Sequence, residues 1–137
     1  MTNRRIDGFF YGLFMDNAVL HEQGIEPELP RHAYVDDYEL RIGKRATLVP
    51  KRGARAYGMV IALTHHELDL LYSAPGLEEY RPEPVVAHTL AGETLPALCY
   101  NLRLTPEGDE ANAEYAQQLR EVLGRLGFPS DYIASVS

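Results

Sequence analysis

Apolar and polar positions alternate along this chain with two different periods, and the elements can be taken in order. Gly8 to Met15 (GFFYGLFM) is a short apolar run rich in aromatics, as expected of a buried strand entering a glycine turn. Asp16 is placed to cap a brief helix through His21, with Gly24 as its stop. Gln23 to Pro30 is interrupted by two prolines and reads as a loop. Ala33 to Arg41 has the alternation of a strand, with Tyr34, Tyr38 and Leu40 on one face and Asp36 as the misfit among them.

Ala46 to Pro50 reads as a further short strand and Lys51-Arg52-Gly53 as a turn. Tyr57 to Leu63 (YGMVIAL), apolar throughout and containing β-branched residues, predicts another strand. Thr64 followed by Glu67 three residues later is a capping box, and the helix it opens runs to about Leu71 before Pro75-Gly76 ends it. Pro84 to Leu90 and Leu95 to Leu104 are two strands joined through Ala91-Gly92-Glu93. From Asp109 to Leu126, Ala113, Ala116, Leu119, Val122, Leu123 and Leu126 recur at helical spacing. Gly127 caps that helix, and Pro129 opens a short final one through Val136. These elements predict an α+β fold: five or six strands in a small mixed β-barrel or curled sheet, with flanking helices.

With 137 residues and no repeats or linkers, residues 1–137 are expected to form a single domain. A formal charge of −7, with basic residues scattered among acidic ones, argues against nucleic acid and anionic membrane as partners. The start, MTNRRIDG, has no following apolar segment of the signal-peptide kind, and no apolar run is long enough to span a bilayer. A cytoplasmic location is the expectation. Oligomeric state is left open.

Candidate chemistry is sparse. Cys99 is the only cysteine, so neither an intramolecular disulfide nor a multi-thiolate zinc site is possible, and inside a strand it reads as an inert buried thiol. His65 and His66 are adjacent on a helix, so their side chains diverge by about 100°, while His21, His32 and His88 are scattered. No metal site is expected. Lys51, Arg52 and Arg55 form a basic cluster best read as solvated turn charges, and Tyr57, Tyr80 and Tyr100 can line a cavity or pack a core.

The order of several motifs resembles the gamma-glutamylcyclotransferase-like family. Phe10-Tyr11-Gly12 with Leu13-Phe14-Met15 is similar to its opening strand and loop. Ala33 to Leu40, Val49-Pro50, Ala56 to Val60, and Leu63-Thr64 with Glu67-Leu68 follow in the family's order. Tyr80, Leu126-Gly127-Phe128-Pro129 and Tyr132-Ile133 complete the resemblance, which covers nearly the whole chain.

That resemblance implies a small barrel with a cavity and no cofactor. In the family's active members, backbone amides of the Tyr-Gly loop hold a glutamyl group. A carboxylate shuttles the proton as the substrate's α-amine attacks its own γ-carbonyl, releasing 5-oxoproline. A single partly desolvated acid can serve both proton transfers, and fixed amides can hold charge on the carbonyl oxygen. By this resemblance Phe10, Tyr11, Gly12, Leu13, Phe14, Pro75 and Tyr80 are the expected ligand-binding residues.

The chain also departs from the family. Its acid belongs to a Leu-Asp-x-x-Glu-Gly pattern, and laid on Leu71 to Gly76 this pattern puts Tyr72 at the aspartate and Pro75 at the glutamate. The loop reads Tyr-Gly-Leu where the family has a hydroxyl residue after the glycine. The expectation is therefore a cavity for a small molecule, a gamma-glutamyl or other amide compound among the options, in a ligand-binding or accessory role. The alternative is an active cyclotransferase or amide-cleaving enzyme in which Glu78 or Glu79 replaces the missing general acid–base.

Overall fold

The computed structural model describes residues 4–73, 77–107 and 110–137. Its strands are β1 (Arg5–Phe10), β2 (Glu28–Ile42), β3 (Ala46–Thr64), β4 (Tyr80–Thr89) and β5 (Thr94–Leu102). They close into a barrel in the order β1-β3-β2-β4-β5. All pairs are antiparallel except the closing one, where β1 meets β5 in parallel at Gly8 and Leu98. The barrel alternative of the expected fold is thus the observed one.

Alternation along the strands divides the core in two. Phe9, Ala33, Val35, Ala56, Val60, Ala87, Ala97 and Cys99 form one cluster, rich in small side chains as a narrow five-stranded interior requires. Phe10, Met59, Ile61 and Leu63 belong to the other, together with residues of the helices. Tyr57 to Leu63 is almost continuously apolar because both faces of β3 are covered there.

The helices are α1 (Asn17–Glu22), α2 (His65–Tyr72), α3 (Ala113–Leu126) and α4 (Ser130–Ser135). Asp16 caps α1 as expected, its Oδ1 accepting from Ala18 N. The capping box of α2 is complete: Glu67 N donates to Thr64 Oγ1 at 3.1 Å, and Thr64 N donates to Glu67 Oε1 at 2.9 Å. Ala116, Leu119, Val122 and Leu123 are the buried side of α3, and Gly127 in the left-handed conformation ends it. The expected start of this helix at Asp109 lies outside the described residues; α3 begins after Asn112, whose Oδ1 accepts from Tyr115 N.

The glycine turn expected after the first strand is present, as the 3-10 turn Leu13–Met15 closed by Met15 N donating to Gly12 O. Two local expectations are corrected. Within the stretch read as a loop, β2 already begins at Glu28, because a register shift between Glu28 and Arg31 accommodates Pro30, which has no amide to donate. The turn expected at Lys51-Arg52-Gly53 does not reverse the chain. Pairing jumps from Asp36–Arg55 to Tyr38–Pro50, so Lys51 to Ala54 bulge opposite Asp37 and β3 continues. Gly53 (φ +84°) and Asp37 (φ 66°) both take left-handed conformations there, and Gly53 N donates to Asp37 Oδ1 at 2.9 Å.

Candidate binding site

Where β1 ends, the chain runs through Tyr11 and Gly12 into the 3-10 turn and forms one wall of a cavity of about 320 Å³. Phe10, Tyr11, Gly12, Leu13, Phe14 and Tyr80 all line it, together with Val19, Lys44, Arg45, Ala46, Tyr72, Leu77 and Tyr115. The lining is mainly apolar and aromatic, with the two cations carried by the turn between β2 and β3. A volume of this order holds a small organic molecule.

Each wall is fixed by local structure. Tyr11 is buried, and its hydroxyl donates to Tyr100 O at 2.8 Å and lies 3.4 Å from Ala46 O, tying β1 to β5 and to the start of β3. Tyr80 opens β4 and donates to the same Ala46 oxygen at 2.5 Å. Tyr72, the last residue of α2, lies flat on Tyr100 with ring centroids 3.9 Å apart and planes 9° from parallel. Phe14 meets the Tyr72 ring edge-on at 5.7 Å.

Tyr115 comes from the first turn of α3 and touches the loop from the other side. Its hydroxyl accepts a long hydrogen bond of 3.4 Å from Leu13 N. A side chain at position 12 would fall on that hydroxyl, so the glycine lets Tyr115 approach the loop without shifting. Asn112 Nδ2 donates to Lys44 O at 3.3 Å, which holds the start of α3 beside the cationic turn.

The tyrosines are strongly desolvated. Burial pushes the Tyr11 and Tyr72 phenols well above their ordinary value, and burial likewise raises Tyr80 and Tyr115. They are neutral hydrogen-bonding groups at physiological pH. Burial also raises Cys99, a buried thiol with Asn101 Oδ1 at 3.6 Å, so it is no thiolate nucleophile.

The two acids singled out in the sequence are exposed, and neither is a lining residue. Glu79 reaches the rim through Arg45, with 3.1 Å between Oε2 and Nη2, while its side chain remains 71% exposed. The main-chain oxygen of Glu78 accepts from Arg81 Nη1 at 2.5 Å. Pro75 lies outside the described residues. Of the scattered groups, Tyr100 backs the cavity through Tyr72, Tyr57 packs against Phe128 and Tyr132, and Arg55 lies over the Tyr34 ring at 3.8 Å while pairing with Asp36. Among the described residues no group of three or more His, Cys, Asp or Glu side chains is placed to hold a metal ion, and no helix is long and apolar enough to cross a membrane.

Lys44, Arg45, Tyr72 and Tyr115 were not anticipated as lining residues. Tyr115 had no usable signal, since it meets Leu13 across 102 positions of sequence. For Tyr72 a signal exists. Slid back three residues, the Leu-Asp-x-x-Glu-Gly pattern matches Leu68-Asp69 literally and places its glutamate on Tyr72.

The family described as gamma-glutamyl cyclotransferase, AIG2-like, matches residues 8–118 of this chain. No curated protein sequence matches it. Among solved structures, one titled gamma-glutamyl cyclotransferase superposes with a TM-score of 0.82 at 17% identity, over 97% of this chain and 88% of that one. The human protein loc79017 gives 0.82 at 16% identity, over 98% and 89%. YkqA of Bacillus subtilis gives 0.77 at 20% identity over 96% of this chain, which spans 55% of YkqA. At these identities the likeness is one of fold.

Proposed function

We propose, from the premise that this chain belongs to the gamma-glutamyl cyclotransferase, AIG2-like family, that it binds a small molecule in the Tyr11-Gly12 cavity without carrying out the family's proton transfer. The observation that carries this reading is the residue at the end of α2. With the acid pattern on Leu68-Asp69, the family's glutamate is replaced by Tyr72, which lines the cavity. A phenol raised by burial is a poor base near neutral pH, because it does not give up its own proton there. No carboxylate is present among the described lining residues.

The loop supports the same reading. In active relatives its amides are offered to substrate, whereas here the Leu13 amide is turned to the Tyr115 hydroxyl. Frame and cavity are retained and the acid is exchanged for an aromatic group.

One observation favours the second reading, an enzyme with a relocated acid. Glu79 pairs with Arg45, a lining residue, and so stands at the rim. Incubation with a panel of gamma-glutamyl amines distinguishes the two. The binding reading expects no 5-oxoproline above a protein-free blank. Turnover that falls by about 100-fold or more in Glu79→Gln or Glu78→Gln would establish the enzyme instead.

A further inference from the structure

Among the tyrosines lining the cavity, two have spent their protons inside the protein. Tyr11 donates to Tyr100 O and Tyr80 to Ala46 O. The other two have not. Tyr115 Oη accepts from Leu13 N and donates to none of the described residues. Tyr72 Oη has no hydrogen-bond partner among them, and it is not one of the sealed, partnerless polar atoms, which are Asn101 Nδ2 and Tyr132 Oη. Tyr72 is only partly buried and is a lining residue of this cavity. Two O–H donors from different helices are therefore available to a ligand, beneath a rim that carries Lys44 and Arg45.

We infer that the ligand is a small, largely aromatic or aliphatic molecule with a single carboxylate, held by the hydroxyls of Tyr72 and Tyr115 under the positive rim. This rests on the binding reading above and names the chemical class it concerns. A neutral O–H donor paired with a carboxylate makes a short, strong hydrogen bond, and a nearby cation adds attraction. The apolar remainder of the ligand is taken up by Phe10, Leu13 and Phe14. A zwitterionic gamma-glutamyl amine fits less well. The described lining supplies no carboxylate to pair with its ammonium, and a charge left unpaired in an apolar wall is costly. Burial keeps both phenols protonated, so the donors persist throughout the neutral range.

Three probes test the class by titration into the whole protein: 4-phenylbutyrate, its neutral counterpart 4-phenylbutan-1-ol, and gamma-glutamylalanine. Affinities are read from amide shifts at Gly12 to Phe14. The acid is expected to bind at least about tenfold more tightly than the alcohol, and Tyr72→Phe and Tyr115→Phe each to weaken the acid by roughly tenfold and the alcohol by clearly less. Both variants keep the ring, and their melting temperatures check that the fold is intact. Equal affinity for acid and alcohol, acid binding indifferent to both variants, or failure of the acid to bind overturns the ligand class. Conversion of gamma-glutamylalanine to 5-oxoproline overturns the binding reading itself, a readout separate from the affinities.

Discussion

The ring of Tyr72 lies face to face on that of Tyr100, 3.9 Å between centroids and 9° from parallel. This contact joins the last residue of α2 to β5 and fixes the aromatic group that lines the cavity there. A stacked phenol cannot swing away as a lone carboxylate on a loop can. Tyr100→Ala is therefore expected to loosen Tyr72 and lower stability by about 2–4 kcal/mol, whereas Tyr100→Leu, which keeps apolar bulk, costs less. Chemical denaturation of the two variants checks the ordering.

The contact between Gly12 and Tyr115 predicts a coupling. Gly12→Ala places a methyl group on the Tyr115 hydroxyl and is expected to cost about 1–3 kcal/mol. In a Tyr115→Phe background the obstructing oxygen is gone, and the same substitution is expected to cost much less. A double-mutant cycle measures the difference, and additive effects would contradict the packing described.

Much of this fold was legible because its determinants are local. Asp16, the Thr64–Glu67 box and Gly127 act within a few residues of their own helices, and each does what its residue type predicts. The long β2–β3 hairpin was not, because Lys51-Arg52-Gly53 has the composition of a reversing turn and only the strand opposite makes it a bulge. The cavity divides in the same way. The loop Phe10 to Phe14 lies in one continuous stretch and was recognisable. Tyr72, Lys44 and Tyr115 converge from three separate elements, and no periodicity within one segment announces such a meeting.

The bulge yields a stability prediction. Gly53→Ala, at φ +84°, is expected to cost about 1–2 kcal/mol, and Asp37→Ala, which removes the carboxylate accepting from Gly53 N, about 1 kcal/mol. Thermal melts of both variants are the measurement. Neutral substitutions would mean that the two residues do not hold the strand in this path.

Alkaline stability follows from the buried phenols. The folded-state values of Tyr11, Tyr72, Tyr80 and Tyr115 are raised above 10.0, so as pH rises the unfolded chain loses these protons first. Stability from this source is intact below about pH 10 and is lost as pH climbs beyond it. Phenolate absorbance should show Tyr11, Tyr72, Tyr80 and Tyr115 titrating only together with unfolding.

At the rim, Glu79 competes with any anion for Arg45. Glu79→Gln is expected to change stability by no more than about 0.5 kcal/mol, as exposed pairs do, and to strengthen binding of 4-phenylbutyrate by roughly two- to threefold. A titration showing weaker binding in this variant would mean that the carboxylate contacts the ligand directly.

A crystal structure with 4-phenylbutyrate bound decides whether a tyrosine or a carboxylate meets the ligand in this cavity. The ligand's carboxylate is expected within hydrogen-bonding distance of the Tyr72 and Tyr115 hydroxyls, with Glu78 and Glu79 outside the cavity. A Glu78 or Glu79 side chain turned inward and hydrogen-bonded to the ligand would contradict it.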